Sequence, residues 1–353
     1  MINKIYDPDY AAACFFRSAV QPPQMKVMLQ ITEKCNLRCA HCFAESNSIG
    51  NEMALQSICD IIVPQFIKNN VVKVTLTGGE PLAHPYAKEI TQVLLENKIG
   101  VSICTNGTLI DSSWVDQLTR YDNVHFNVSL DGMTMQSHGK FRGITSESVI
   151  STIKHNISTL GDLGLLNGIL TTPNKYATIG EYIELCQFAK QAGANYVLMN
   201  PLSPFGRGTK TQPLAYSTEE MIELRERTSS LISENFEIVY IRFPNAEHKP
   251  LGKCSLGSIP YVFCNGDIAI CPYMVFASSG SNLYQESDFI VGNIFQGADI
   301  GKEVANYHIS YATGTENKNS ECHNCGGGCY AIKIANNLPL SGCDIDMCPV
   351  EGA

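Results

Sequence analysis

The sequence predicts an α/β fold: a partial barrel of six strand–helix units, followed by a small cysteine-rich domain. Two observations predict it. Short apolar, strand-like runs alternate with helical stretches of roughly ten to fifteen residues as far as about residue 240, the pattern of parallel βαβ units. Beyond about residue 245 that rhythm gives way to Gly-, Asn-, Ser- and Cys-rich sequence without helical periodicity. At roughly 150 residues per domain, a chain of 353 residues suggests two domains. The boundaries are placed at 1–25 for an N-terminal extension, 26–245 for the barrel and 246–353 for the second domain.

The elements follow in order. Gln21-Pro22-Pro23-Gln24 is a break before structure begins. Strands are expected at 26–31, 71–76, 100–104, 124–129, 166–171, 195–199 and 236–241, and helices at 53–68, 86–97, 112–119, 147–160, 178–191 and 218–233. Eight units would close a full barrel; six suggest a partial one. In such barrels chemistry sits on the loops that follow the strands. The first cysteine cluster, Gly78-Gly79-Glu80-Pro81, Thr105-Asn106-Gly107 and Ser129-Leu130-Asp131-Gly132 all fall there.

Composition narrows the class. A hydrophobic fraction of 44% and a charged fraction of 17% describe a globular protein and rule out wholesale disorder. The net charge of −9 argues against a nucleic-acid or membrane-surface binder. No run of about 18 apolar residues predicts a transmembrane helix. The start, Met1 to Pro8, lacks the apolar core of a signal peptide, so a cytoplasmic location is expected. Fifteen cysteines then stand out. The cytosol keeps thiols reduced and the number is odd, so metal or iron–sulfur ligation explains them better than disulfides.

Cys35-Asn36-Leu37-Arg38-Cys39-Ala40-His41-Cys42 places three thiols within eight residues. Thiolates are soft ligands suited to iron–sulfur clusters, and three of them leave one iron of a four-iron cluster free. A zinc site completed by His41 is the other reading, but His41 adjoins Cys42 and is poorly placed to share one tetrahedral ion with it. This cysteine spacing after a first strand, with Gly78-Gly79-Glu80-Pro81 after the second, resembles the radical S-adenosylmethionine (SAM) enzymes over residues 26–240.

The resemblance implies a TIM-like (β/α)6 partial barrel holding a [4Fe-4S] cluster on Cys35, Cys39 and Cys42, with SAM chelated to the free iron. One electron from a flavodoxin- or ferredoxin-type donor would cleave SAM to methionine and a 5′-deoxyadenosyl radical. By motif position, Gly78, Gly79 and Glu80 are expected at the methionine amino group, and His41 near the adenine. Ser129 is expected near the ribose or carboxylate. Arg142, in His138-Gly139-Lys140-Phe141-Arg142-Gly143, is expected to pair with the SAM carboxylate, which suits a guanidinium. Asn106, in an Asn-Gly pair, is a further candidate. Arg207 reads as an exposed loop residue, with an anionic substrate group as the other possibility.

From Cys254 onward come Cys264, Cys271, Cys322, Cys325, Cys329, Cys343 and Cys348, enough to ligate two more four-iron clusters. Residues 254–353 resemble the SPASM extension of radical SAM enzymes, with a shortened middle run and with Cys264 and Cys348 as extras. The crossover usual in that extension implies Cys254, Cys264, Cys271 and Cys329 on one cluster and Cys322, Cys325, Cys343 and Cys348 on the other. Cys14, Cys59, Cys104 and Cys186 read as core residues, Cys104 and Cys186 being hydrogen-atom donors if they face the barrel interior.

The expected substrate is a ribosomally made precursor peptide, oxidised to a thioether, a carbon–carbon crosslink or a similar change. Only 34 residues precede Cys35, too few for a recognition domain, so a separate peptide-recognition protein, or direct binding of the leader, is expected. Two alternatives stand beside this. One is an anaerobic sulfatase-maturating enzyme, disfavoured because Pro272-Tyr273 follows Cys271 where an aspartate is expected. The other is a small-molecule enzyme of cofactor, haem or sugar biosynthesis. A different class, a cluster-bearing redox or scaffold protein without catalysis, is disfavoured by the intact Gly78-Gly79-Glu80-Pro81 loop.

Overall fold

Runs of Val, Ile, Leu and Thr make the strands, because β-branched side chains pack well on a pleated surface. In the computed structural model, which describes residues 20, 22–245, 251, 254, 256–307, 327–342, 344 and 347, seven strands lie side by side in sequence order. They are β1 (Met25–Thr32), β2 (Val71–Gly78), β3 (Gly100–Thr105), β4 (Val124–Ser129), β5 (Leu166–Thr171), β6 (Tyr196–Met199) and β7 (Glu237–Tyr240), every neighbouring pair parallel. This is the partial TIM-like barrel the sequence predicts.

Helices return the chain between strands. The first is broken: α1 (Leu55–Ser57) passes through a π segment, Ile58–Ile62, into α2 (Val63–Lys68). Pro64 has no N–H to give the carbonyl of Asp60, so regular α pairing fails beside that segment. Then come α3 (Ala87–Glu96), α4 (Ser112–Leu118), α5 (Lys140–Arg142), α6 (Glu147–Asp162), α7 (Ile179–Gln191) and α8 (Thr218–Ser229). Caps start several of them: Asp111 accepts from the Ser113 and Trp114 N–H groups at α4, and Ser217 and Glu220 form a capping box at α8. On α6, Ile150, Ile153, Ile157 and Leu160 recur at helical spacing and are buried against the sheet-side core.

Alternation along the strands divides the barrel wall. Val27, Leu29 and Ile31 of β1, Val74 and Leu76 of β2, Val101 and Ile103 of β3, and Val124, Phe126 and Val128 of β4 belong to the core shared with the helices. The intervening positions face the concave side and are polar: Gln30, Lys73, Thr75, Ser102, Cys104, His125, Asn127 and Ser129. On that face the Asn127 side-chain oxygen accepts from the Tyr196 hydroxyl at 2.6 Å and from the Asn167 amide at 3.0 Å. Gly168 lies between them on β5, and a Cβ there would stand 2.6 Å from the Tyr196 ring. Glycine leaves the room for that ring to reach β4.

The later chain joins the same sheet. β8 (Tyr261–Val262) pairs parallel with β1, and β9 (Asp267–Ala269) and β10 (Ile290–Asn293) follow antiparallel at that edge. α9 (Pro272–Ser278) and α11 (Tyr330–Ala335) pack in a second apolar cluster, and α10 (Ile300–Asn306) lies between them in the chain. No helix among the described residues is long and apolar enough to cross a membrane.

Candidate active site on the loop after the first strand

The loop that leaves β1 carries Cys35, Cys39 and Cys42, and three neighbouring loops grip its backbone. The first grip comes from the end of β2. The Gly79 N–H donates to the Thr32 carbonyl and the Glu80 N–H to the Lys34 carbonyl, both at 2.9 Å. A Cβ on Gly78 would meet the Thr32 oxygen at 2.0 Å, and one on Gly79 the Lys34 oxygen at 2.2 Å. Only a glycine pair lets the two backbones approach this closely.

Glu80 is 1% exposed. Its carboxylate accepts from the Leu82 N–H at 3.0 Å, the Thr105 hydroxyl at 2.7 Å and the Asn106 N–H at 2.7 Å. Burial pushes its pKa up, against those donors and the more distant Arg142. Glu80 therefore locks the loop after β3 to the loop after β2, and three of a carboxylate's roughly four acceptor sites are filled by the protein. The second grip is Asn106, whose amide donates to the Asn36 side chain at 2.8 Å, while Asn36 donates to the Thr108 hydroxyl at 2.8 Å. Asn106 thus reaches the cysteine loop directly.

The third grip was not legible as such. Arg207 donates through Nε to the Cys39 carbonyl at 2.8 Å and through Nη2 to the Ser46 carbonyl at 3.0 Å. Its own N–H donates to the Cys42 carbonyl at 3.1 Å. Arg207 is half-buried rather than a loose exposed residue, and it clamps the segment between the thiols. Phe43, next to Cys42, packs on Phe205, Tyr273 and Phe276, tying the same loop to α9. Only the Gly206-Arg207-Gly208 spacing in the sequence hinted at a close-packed turn.

The thiols are close enough to interact: Cys42 helps raise both Cys35 and Cys39, and Cys35 adds to the rise at Cys39. Burial is the larger cause: it raises Cys35 and pushes Cys39 up to about 12, with Arg142 partly offsetting it. Arg142 is buried, with Nε 2.6 Å from Asp131 Oδ2 and Nη1 4.0 Å from the Cys39 sulfur. Burial works to raise Asp131, but the guanidinium and neighbouring histidines overcome it and hold the carboxylate below its ordinary value. Asp131 also accepts from the Thr172 N–H at 2.7 Å. Its role exceeds shaping a turn: it supplies the buried countercharge to Arg142. Ser129 ends β4 half-buried, and its hydroxyl makes no hydrogen bond among the described residues.

His41 stacks on Phe141 with ring centroids 4.1 Å apart and planes within 7°. Burial lowers its pKa to about 4, so the ring is neutral at neutral pH. Its Nδ1 is buried without a partner. Buried polar atoms are nearly always paired, so this nitrogen is one that a polar ligand beside the cysteine loop could satisfy. Grouped free thiols, an orphaned ring nitrogen and a glycine-lined backbone cradle fit a cubane cluster with SAM beside it. No three His, Cys, Asp or Glu side chains among the described residues are grouped to hold a single metal ion.

The later cysteines divide differently from expectation. Cys254, Cys271 and Cys329 lie close together, each of the other two raising Cys271 further after burial has pushed it well up. Cys264 stands apart. Its N–H donates to the Gln30 side chain at 3.0 Å, and its thiol belongs to the barrel core, because it follows β8 on the face that Val262 shares with the helices. The structure does not bring it to the other three. Asp344 accepts from the Cys329 N–H at 2.9 Å and pairs with Arg242 just after β7, anchoring the trio to the barrel. Cys322, Cys325, Cys343 and Cys348 lie outside the described residues, as does Cys14. Cys186 is a core residue, while Cys104 faces the polar concave side, where Asn127 approaches its sulfur at 3.9 Å.

Residues 29–159 match the radical SAM superfamily. The match runs from within β1 to within α6 and takes in the cysteine loop and the Gly78-Gly79-Glu80-Pro81 loop. Mycofactocin maturase MftC of Mycobacterium tuberculosis is 25% identical over 323 residues, covering 89% of this chain and 80% of that protein. The antilisterial bacteriocin subtilosin biosynthesis protein AlbA of Bacillus subtilis is 26% identical, over 75% of this chain and 59% of that one. Among solved structures, Streptococcus suis SuiB bound to its precursor peptide SuiA aligns with a TM-score of 0.67 at 19% identity, over 93% of this chain and 75% of SuiB. The fold is thus shared with SuiB. The superfamily implies a [4Fe-4S] cluster and SAM.

Proposed function

We propose that this chain is a radical SAM enzyme that oxidatively modifies a ribosomally made peptide, forming a thioether, a carbon–carbon crosslink or a related bond. One observation carries the reading: a chain whose cysteine trio is clamped on the loop after β1 aligns along about nine-tenths of its length with mycofactocin maturase MftC and with SuiB, solved with the precursor peptide SuiA. Cys35, Cys39 and Cys42 would hold a cluster with one open iron. That group, when bound with SAM, supplies the one-electron cleavage that generates the hydrogen-abstracting radical. The chain's own residues orient and exclude. The Gly78-Gly79 cradle admits close backbone approach, His41 offers a neutral ring with a free nitrogen, and Arg142 keeps a positive charge beside Cys39.

Bond formation after loss of one hydrogen leaves an electron to remove. Two auxiliary clusters in residues 246–353, a SPASM domain, would take it, with Cys254, Cys271 and Cys329 contributing to one and Cys322, Cys325, Cys343 and Cys348 supplying further ligands. A separate peptide-recognition protein and an acidic electron carrier complete the system, in the cytoplasm. Pro272 directly follows Cys271 and opens α9, so no carboxylate stands where a formylglycine-forming enzyme places its base.

Anaerobic reconstitution should give about twelve irons per chain, four per cubane cluster. Reductive SAM cleavage should yield deoxyadenosine, and co-production with a short precursor encoded nearby should return a peptide lighter by two hydrogens. A protein that binds zinc and leaves SAM intact overturns the reading. SAM cleavage with a small-molecule product and an unchanged peptide would retain the chemistry and overturn the substrate.

A further inference from the structure

On its outer side the backbone of the cysteine loop reaches the surface. A concavity of about 320 Å³ opens there, with Arg38, Arg207 and Lys210 in its wall and Glu45 as its one acid. Arg207 is spent on the Cys39 and Ser46 carbonyls. Arg38 and Lys210 are exposed and make no ion pair or hydrogen bond among the described residues. Three cations against one anion is a local reversal of sign in a chain of net charge −9. The contrast lies nearby. The larger cavity between the same loop and the β9–β10 hairpin, about 840 Å³, is lined by Glu33, Glu45, Asp267 and Glu286 and, among the described residues, by no lysine or arginine.

We propose that the cationic concavity is the docking surface for an acidic one-electron carrier protein, which delivers the electron consumed in SAM cleavage. The inference rests on the radical SAM reading and adds where the electron enters. Charge complementarity selects the occupant. The chain as a whole repels an acidic protein, so a cationic face orients the encounter, and Arg207 in the wall of this one is hydrogen-bonded to the carbonyls of two of the three cluster-binding cysteines, Cys39 and Cys42. The step balances simply. The carrier is oxidised by one electron and the cluster on Cys35, Cys39 and Cys42 is reduced by one, with no atom or proton transferred.

The test compares the reconstituted holoenzyme with its Arg38→Glu/Lys210→Glu variant. Lys98→Glu/Lys302→Glu serves as the control: both residues are exposed and neither lines the concavity. Two reductants drive deoxyadenosine formation: a purified acidic flavodoxin, and dithionite, which needs no docking surface. Flavodoxin affinity is measured directly at low and high salt. In the charge-reversed enzyme, flavodoxin-supported turnover and affinity should both fall by roughly tenfold or more at low salt, the range over which steering acts. Dithionite-supported turnover and iron content should stay as in the parent, the control should behave as the parent, and the difference should shrink as salt screens the charges.

Undiminished flavodoxin affinity and turnover in the variant would overturn the proposal. Should the double variant lose iron, the single Lys210→Gln change, outside the cysteine loop, decides by the same two readouts. Failure of dithionite to cleave SAM in the parent enzyme would instead strike the radical SAM reading, while flavodoxin affinity would still decide the surface.

Discussion

Two cysteine sets in one chain are built on opposite plans. The first is contiguous: Cys35, Cys39 and Cys42 share one loop, and the fold's task is to hold that loop from three sides, through Gly79 and Glu80, through Asn106, and through Arg207. The second is dispersed: Cys254, Cys271 and Cys329 come from separate segments and meet because α9 and α11 pack together and Asp344 ties Cys329 to Arg242. A contiguous set carries its geometry in its spacing. A dispersed set borrows its geometry from tertiary packing, and a one-dimensional reading can group the wrong members, as with Cys264.

The sharpest way to break this comparison is to remove each set in turn. Cys35, Cys39 and Cys42 changed together to Ala should abolish deoxyadenosine formation while part of the iron remains. Cys271→Ala should retain SAM cleavage and lose the modified peptide. Cleavage surviving in the triple variant, measured by chromatography of deoxyadenosine, would reverse the roles assigned to the two sets.

Next in size is the buried ion pair behind Cys39. Asp131→Ala leaves Arg142 charged and unpaired in a site where the Asp131 side chain is 0% exposed. Breaking such a pair from one side costs about 3–5 kcal/mol. Denaturant unfolding should show that loss, and Asp131→Asn, which keeps a hydrogen-bond acceptor, should lose less.

Arg207→Ala removes two charge-assisted hydrogen bonds to loop carbonyls, each worth about 1.5–3 kcal/mol. Because the lost bonds hold the cysteine segment, the effect should concentrate on the first set. Iron bound by Cys35, Cys39 and Cys42 should fall and the EPR signal of that cluster in the presence of SAM should broaden, while iron on the later cysteines is unchanged. Arg207→Lys should restore only part of this, since an ammonium cannot reach both carbonyls in a fork.

The mildest effect is on pH. Cys39 must lose its proton to bind iron, and burial has pushed its pKa up to about 12. Its thiolate fraction therefore drops about tenfold for each unit that pH falls below that value, so the rate of cluster assembly should decline steadily from alkaline to neutral pH. Iron incorporation followed at several pH values checks this; a flat profile would mean that deprotonation does not limit assembly.

Much of the architecture was legible because strand periodicity is strong. All seven expected strands are present, and each expected helix appears, the first interrupted near Pro64. The cysteine spacing and the Gly-Gly-Glu-Pro loop were equally readable, since both encode contacts made within a few residues of themselves. Other features were not. Arg207 acts on a loop more than 160 residues away, so its neighbours give no sign of its partner. Asp131 stands in a loop after β4, and its sequence neighbours give no sign of the arginine eleven residues on that it pairs with. Cys104 read as core because alternation separates two faces without saying which is the lumen.

The order of the strands, the position of a tri-thiol loop and the presence of a glycine hinge against it follow from local preference and spacing, which act along the chain. Which carboxylate faces Arg142, which arginine clamps the loop, and which thiols gather in the second set follow from the curvature of the sheet and the packing of α9 and α11. Those are decided only when distant segments compete for the same buried space, and no window of sequence contains that competition.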